Sequence, residues 1–512
     1  MAKPTPPSEK REVQRPPVAS TGIPGLDSIL HGGLPREEMH LLQGVAGTGK
    51  TTAALHFLRE GVREGEPTLY LTLSQSKAHL DRIARSHGWS LDGITVHELS
   101  PGTVADRVSS RQTIFPTVEV ELGEMFRDVA EIVARVKPRR AVIDSITMLQ
   151  LLAGSTQRYH REVVTLRQLF VEQGCTVLAL ADHPAENGEG SEPEVIFHPL
   201  SGCVMELRQT PRAYGDVRRT VRVVKARGLA HEGGSHDLKI RTGGMEVYPR
   251  LGAYTKPEYR AFRLCKGDMA ELDKLLGGGL EEGTACLLIG PSGTGKSTLA
   301  SLYSAAAAGR GDHAAIYLFD ERPETYMARA EGVGIPLRKQ IEAGRVALRQ
   351  LDPAEIAPGE FAHQVCRAVE KEGSKVVVID SIAGYFTAVG SSELFVAQLH
   401  ELLTYLSRSG VLTILTAARQ EAFMAVGDQP GVDISYLSDT ILVLGYYEAE
   451  GDLHRYLTAV KKRQGEHETT IRELRIRSGG VSLGEPLRQF RGLLLTYAEP
   501  AAPREGGDGN NR

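Results

Sequence analysis

The sequence predicts an α/β protein of two tandem domains, each a mostly parallel, twisted sheet flanked by helices. Three observations predict it. A chain of 512 residues exceeds what one ordinary hydrophobic core supports. Long stretches recur in the same order: "GIPGLDSILHGGLPREEMHLLQGVAGTGKTT" returns as "DMAELDKLLGGGLEEGTACLLIGPSGTGKST", and "RRAVIDSITML" as "KVVVIDSIAGY". Within each copy, short apolar runs bounded by glycine alternate with helical stretches such as "TAALHFLREGVREG" and "GEMFRDVAEIVARV", the pattern of a parallel sheet covered by helices.

From the N-terminus, residues 1–17 carry charge and proline but no apolar h-region, so they read as a disordered arm rather than a signal peptide. The first domain is expected over 18–250 and the second over 251–495, with a disordered tail at 496–512. Proline and tyrosine replace the regular apolar pattern in "YPRLGAYTKPEYRA", where the boundary falls. The copies are 246 residues apart at Lys50 and Lys296, but 236 apart at Asp144 and Asp380 and at Lys225 and Lys461. The first copy therefore holds about ten extra residues, expected as loop around "SPGTVADRVSSRQTIFPTVEV".

Composition narrows the classes. With 41% hydrophobic and 24% charged residues the chain reads as soluble and globular. A net charge of −4 without a long basic run argues against a nucleic-acid footprint. Apolar runs such as "KVVVID" are far too short to span a bilayer, and a cytoplasmic protein is expected. The five cysteines (Cys175, Cys203, Cys265, Cys286, Cys366) are scattered without a CxxC pair, which favours reduced core thiols over disulfides or zinc. "HEGGSH" at His231–His236 lacks the spacing of HExxH and reads as a loop.

Two segments satisfy GxxxxGK[ST], each after an apolar run and ahead of a helix: "GVAGTGKT" from Gly44 and "GPSGTGKS" from Gly290. Their glycines let backbone N–H groups curl around phosphate oxygens at the positive end of a helix. The candidate nucleotide contacts are Gly44, Gly47, Thr48, Gly49, Lys50, Thr51 and Thr52, and in the second copy Gly290, Gly293, Thr294, Gly295, Lys296, Ser297 and Thr298. Lys50 and Lys296 would reach the β- and γ-phosphates, while Thr51 and Ser297 would ligate magnesium. Asp144 and Asp380 end apolar runs, where a carboxylate at a strand's C-terminal edge can hold the same metal.

The copies differ after the next strand. "YLFDERPETY" places Asp320 and Glu321 where "LTLSQSKAHL" has Ser74 and Gln75. A nucleophile attacking a γ-phosphate needs a proton acceptor held in line, so Asp320 and Glu321, with Lys296, are candidate catalytic residues. Ser74 has no useful basicity, and Gln75 can orient water but cannot take its proton. The first copy is thus expected to bind nucleotide with weak turnover. A repeated K-x-R, Lys225 with Arg227 and Lys461 with Arg463, is followed in each copy by a histidine, His231 and His467. Cations of this kind, donated from a neighbouring subunit, stabilise a transferring phosphoryl group, which would require a ring with nucleotide at subunit interfaces.

Together these residues resemble the KaiC family of RecA-like double-domain ATPases and autokinases, over roughly residues 18–495. The resemblance rests on the "GLDSILHGGLP" lead-in, both P-loops, both "VID" strands, both K-x-R-x-x-x-H segments and the closing "LRQFRGLLL". It implies two RecA-like P-loop domains in a homohexameric double ring, with ATP and Mg²⁺ between subunits in both tiers. It also implies ATP contacts from Lys225, Arg227, His231, Lys461, Arg463 and His467, with Lys461 and Arg463 acting in catalysis. The family carries Glu-Glu in both halves, so Ser74 and Gln75 depart from it and argue against circadian timekeeping. Its adjacent Ser and Thr phosphoacceptors match Ser435 and Tyr436 in "DISYLSDTILVL", which makes Ser435 the candidate acceptor, with Asp320 or Glu321 as base across the interface. The tail "AAPREGGDGNNR" replaces the segment that recruits KaiA, so KaiA dependence is not expected; a KaiB-like or signalling partner remains open. The competing readings are an ATP-gated scaffold that forms no stable phosphoprotein, and a RecA-type DNA repair motor, which would need basic, aromatic-interleaved loops that the sequence lacks.

Overall fold

The computed structural model describes residues 16–99, 117–182, 193–212, 215–253, 263–418, 423–424, 432–488, 490–491 and 499–500. The chain divides into two compact units, Met1–Arg250 and Leu251–Arg512.

The first unit's sheet contains β1 (Met39–Gly44), β2 (Thr68–Thr72), β3 (Ile94–Glu98), β4 (Arg140–Asp144), β5 (Thr176–Asp182), β6 (Cys203–Thr210), β7 (Arg218–Ala226), β8 (Ser235–Arg241) and β9 (Gly244–Tyr248). Their order across the sheet is β9-β8-β7-β6-β1-β5-β4-β2-β3. Strands β3 through β6 in that order run parallel, and β7, β8 and β9 add antiparallel at the β6 side. Helices α1 (Lys50–Arg63), α2 (Lys77–Ser86), α3 (Thr117–Val136), α4 (Ile146–Ala153), α5 (Thr156–Val171) and α6 (Pro193–Leu200) connect them.

The second unit repeats the plan with β10 (Ala285–Ile289), β11 (His313–Leu318), β12 (Val346–Gln350), β13 (Ser374–Asp380), β14 (Leu412–Ala417), β15 (Thr440–Ala449), β16 (Asp452–Lys462), β17 (Arg472–Arg477) and β18 (Gly480–Pro486). The order β12-β11-β13-β14-β10-β15-β16-β17-β18 is the first sheet read from the other edge. Its helices are α7 (Lys296–Gly309), α8 (Pro323–Gly332), α9 (Leu337–Glu342), α10 (Pro358–Glu370), α11 (Ile382–Val389) and α12 (Ser392–Arg408).

Strand alternation sorts the core into two layers. Leu42, Tyr70, Val142 and Leu178 meet Ala54 and Leu58 of α1 on one face. Leu41, Leu69, Ile143 and Val177 meet Val133, Val163 and Phe170 on the other. Each such side chain contributes roughly 1.5–3 kcal/mol by leaving water. Strands buried on both faces read as continuous apolar runs, which is why "AVID" and "VVVID" show no polar alternation.

A charged residue, too, is fully buried in the first unit. Arg140, at the start of β4, donates to both Glu64 (2.7 Å) and Glu66 (2.5 Å) and to the carbonyls of Ser20 (2.6 Å) and Phe57 (3.2 Å). Its charge is matched and its donors are used, the condition under which a buried arginine is tolerated. All five cysteines are buried and unpaired, and burial pushes each thiol up, Cys265 to about 11 and Cys203 to about 12. Among the described residues no helix is long and apolar enough to cross a membrane.

Two expectations need correction. The end of the segment expected as extra loop, Thr117–Val120, is the first turn of α3; residues 100–116 lie outside the described ones. The segment expected as a disordered tail includes Glu499–Pro500, which pairs antiparallel with Phe490–Arg491. Two-residue ladders rest on backbone hydrogen bonds and leave no periodicity to read.

The first unit also carries two neutral histidines, His40 fully buried and His56 half-buried. The Cys203 N–H donates to His40 Nδ1 (3.1 Å), so the ring proton sits on Nε2, which donates to the Pro35 carbonyl (2.8 Å). The Met245 N–H likewise donates to His56 Nε2 (2.9 Å). Burial lowers both groups to about 4, with the Arg59 charge adding to the effect at His56. The unfolded chain therefore binds these protons near pH 6.5 and the folded one only near 4. The stability they supply is full above 6.5 and falls toward pH 4, by on the order of 2–3 kcal/mol each. Thermal melts between pH 7.5 and 4.5 should show the first unit losing stability through this window, and His40→Gln should flatten the slope. An unchanged slope in the variant would contradict the assignment.

Candidate active site

Parallel strands deliver their C-terminal residues to one edge, and both P-loops leave from it. In the first copy Gly49 stands just before α1 with φ +104°, and in the second Gly295 stands before α7 with φ +107°, a region that suits glycine. A Cβ on Gly44 would lie 2.5 Å from the Leu207 carbonyl oxygen, and one on Gly290 would lie 2.4 Å from that of Leu444. Neither helix has a side-chain cap, so its first N–H groups remain available to an anion. Thr48 and Thr294 are fully buried, and their hydroxyls bond the loop carbonyls of Val45 (2.9 Å) and Pro291 (2.8 Å). Their hydroxyls thus shape the loop.

In the second unit the expected residues converge. A cleft of about 580 Å³ is lined by Lys296, Ser297, Asp320, Glu321, Arg329 and Asp380, among others. Lys296 Nζ donates to the carbonyls of Gly290 (2.6 Å) and Pro291 (3.0 Å). Thr416, on the strand between those of Gly290 and Asp380, donates to Asp380 Oδ1 (2.5 Å). Asp380 Oδ2 is buried and has no hydrogen-bond partner among the described residues. An orphaned carboxylate oxygen in a cleft that Ser297 also lines is the donor chemistry that fits a magnesium ion. Ser381 donates to Asp320 Oδ2 (2.6 Å), and Arg329 of α8 donates to Glu321 Oε1 (2.7 Å).

The first unit builds the same corner differently. Lys50 Nζ donates to the carbonyls of Gly44 (2.6 Å) and Val45 (3.0 Å) and pairs with Asp182 at the end of β5 (2.9 Å). The Tyr70 phenol, from β2, donates to Asp144 Oδ2 (2.6 Å). Burial raises the Asp144 carboxyl above its usual range, against the pull of the Tyr70 bond, and the same burial raises the phenol. Ser74 is exposed, and Gln75 Oε1 is buried without a hydrogen-bond partner among the described residues.

The K-x-R pairs lie at the opposite edge from their own P-loops. Lys225 faces Val204, the second residue of β6, and donates to the carbonyls of His198 and Ser201. Lys461 faces Ile441 at the start of β15 and donates to the Ser435 carbonyl (2.8 Å), while Arg463 donates to that of Tyr436 (2.6 Å). Arg227 and Arg463 are exposed, and His231 and His467 are half-buried beyond the same strand ends. Ser435 itself lies in a single 3₁₀ turn ahead of β15. Five residues of strand, about 16 Å, separate this edge from the P-loop edge.

A family model described as "ATPase: KaiC" matches residues 19–252 and again 265–488. The chain belongs to the KaiC ATPase family. It is 26% identical over 494 residues to the circadian clock oscillator protein KaiC of Prochlorococcus marinus, covering 95% of this chain and 96% of that one. The KaiC of Parathermosynechococcus lividus is 25% identical over 502 residues (96% and 90% covered), and the circadian clock protein KaiC3 of Synechocystis is 24% identical over 482 (93% of each). The two nine-stranded sheets are thus two tandem KaiC ATPase domains, RecA-like in fold.

Several site residues of this KaiC-family chain escaped sequence reading. Arg219 and Arg455, 236 residues apart, donate to the P-loop carbonyls of Gly47 (3.4 Å) and Gly293 (3.0 Å). Their equal offset from each K-x-R was a signal that could have found them. Tyr70, Asp182, Thr416 and Arg329 have no counterpart of the same type in the other copy, so the repeat concealed them.

The Tyr70 bond can be tested directly. Tyr70→Phe removes the donor and leaves the buried Asp144 carboxyl short of a partner, costing about 1–3 kcal/mol. The first unit's melting transition should fall accordingly while the second unit's stays fixed. A melt unchanged within half a degree would show that the bond contributes nothing.

Proposed function

We propose that the chain is an ATP-hydrolysing ring protein whose second tier also phosphorylates itself at Ser435, and whose first tier is an ATP-bound assembly platform with attenuated turnover. The observation that carries this reading is the split of each site between two edges. The P-loop, the Asp380 carboxylate and the Asp320/Glu321 pair lie at one edge of the second sheet, while Lys461, Arg463 and Ser435 lie at the other. A head-to-tail ring, here a homohexamer in two tiers, brings the one edge of each chain against the other edge of the next.

In this assembly Lys296 and the N-terminus of α7 hold the phosphates of ATP, and Lys461 and Arg463 of the next subunit stabilise charge on the transferring group. Ser297 and Asp380 would hold Mg²⁺, which supplies neutralisation of the phosphate oxygens when bound. For hydrolysis, Glu321 accepts a proton from water as its oxygen bonds to Pγ and the bond from Pγ to the ADP oxygen breaks. For autophosphorylation the nucleophile is the Ser435 hydroxyl of the neighbouring chain, its proton passing to Asp320 or Glu321, with ADP again leaving. Ser74 and Gln75 support the attenuation of the first tier, since neither can take that proton.

The test is phosphosite mapping by mass spectrometry after incubation with Mg-ATP, with free phosphate followed in parallel. The expected result is phosphate on Ser435, and loss of both signals by at least tenfold in Asp320→Asn/Glu321→Gln, the effect typical of removing a general base. Free phosphate without phosphoprotein would overturn the kinase part. Turnover above half of wild type in the double variant would overturn the assignment of chemistry to the second tier.

A further inference from the structure

We propose that Arg329 is the positioning residue that holds Glu321 in its working orientation, so that the second tier's proton acceptor is a Glu–Arg unit rather than a lone carboxylate. This rests on the reading of Glu321 as proton acceptor. Glu321 follows β11 in a short turn, three residues past the last strand position, where its backbone has no ladder to hold it. Arg329 projects from the second turn of α8 and binds Glu321 Oε1 through Nη1 at 2.7 Å, leaving Oε2 outside that bond. The guanidinium is itself fixed. It lies 4.9 Å from the centroid of the Tyr326 ring, and Tyr326 is fully buried with its hydroxyl donating to the Ser297 carbonyl (3.2 Å). A rigid path thus runs from the P-loop helix through Tyr326 and Arg329 to the carboxylate.

Arg329 Nη2 is buried and has no hydrogen-bond partner among the described residues. A buried, unsatisfied donor costs stability, and its retention beside the cleft favours a functional over a purely structural role. The other copy strengthens the inference. The helices α2 and α8 align without a gap at an offset of 246, which sets Ile83 opposite Arg329, Leu80 opposite Tyr326 and Gln75 opposite Glu321. The arginine, its aromatic support and the carboxylate are all present in one tier and all missing from the other, as expected of parts that work only together.

The mechanism gives a particular kinetic outcome. An arginine that orients the base without touching ATP alters the chemical step and leaves nucleotide binding intact. In the full chain, Arg329→Met keeps the aliphatic packing against Tyr326 but loses the ion pair. It should lower kcat for phosphate release by about tenfold with KM for ATP within about twofold of wild type. Arg329→Lys should recover part of that loss, because it restores the charge without the fixed fork. Glu321→Gln and Glu321→Gln/Arg329→Met should have the same residual kcat, since the arginine acts only through the carboxylate. A wild-type kcat in Arg329→Met, alongside a strongly impaired Glu321→Gln, overturns the proposal and spares the assignment of Glu321. A KM increase that matches the kcat loss, or a double variant well below Glu321→Gln alone, also overturns it, by assigning Arg329 to ATP contact or to folding. Full turnover in Glu321→Gln instead removes the underlying reading of Glu321.

Discussion

A parallel strand delivers its last residue to one edge of a sheet and its first to the other, and this constraint governs the molecule. Gly44 and Asp144 in the first unit, and Gly290, Asp380 and the Asp320/Glu321 turn in the second, end or follow parallel strands and so gather at one edge of their own sheet. The antiparallel strands β7 and β16 run back toward the other edge and carry Lys225 and Lys461 there. No side chain bridges about 16 Å of strand. Within each unit the P-loop and the K-x-R pair are therefore too far apart to meet, and in the proposed ring a neighbouring chain supplies the missing half.

On this shared scaffold the two units satisfy the same buried carboxylate from opposite neighbours. Asp144 takes its hydrogen bond from Tyr70 on β2, and Asp380 takes one from Thr416 on β14. The positions are reciprocal: the second copy has Ile316 where the first has Tyr70, and the first has Leu180 where the second has Thr416. A carboxylate at a crowded strand end needs a donor, and either adjacent strand can supply it. In the first unit the phenol is bonded to Asp144, a group expected to hold metal, while in the second Asp380 Oδ2 has no hydrogen-bond partner among the described residues. That difference runs parallel to the contrast of Ser74 and Gln75 with Asp320 and Glu321, on which the proposed division of labour rests.

The sheets, the P-loops and the strand-end aspartates were legible because they repeat, and because doubly buried strands and glycine-rich turns have strong sequence signatures. The convergence of Lys296, Ser297, Asp320, Glu321 and Asp380 followed from the order of their strands. What stayed hidden was of two kinds. Arg219 and Arg455 repeat, but an arginine on an antiparallel strand looks like any solvated charge until the strand is seen to fold over the P-loop. Tyr70, Asp182, Thr416 and Arg329 do not repeat at all; their roles depend on which side chain faces a neighbouring strand or turn, and that is set by register rather than by spacing along the chain. The helical start of α3 at Thr117 and the Glu499–Pro500 ladder were missed for a related reason, since neither begins with an apolar period or a cap.

The central claim is that each working site is completed by a neighbouring chain, and mixing two inactive variants tests it most directly. One variant carries Lys461→Ala/Arg463→Ala and so lacks the cation edge; the other carries Asp320→Asn/Glu321→Gln and lacks the carboxylates. Phosphate release should be low for each alone. An equal mixture, disassembled and reassembled with ATP, should regain about a quarter of the wild-type rate, because about a quarter of the head-to-tail interfaces then pair two intact edges. A mixture no more active than the mean of its two components would contradict a site shared between chains.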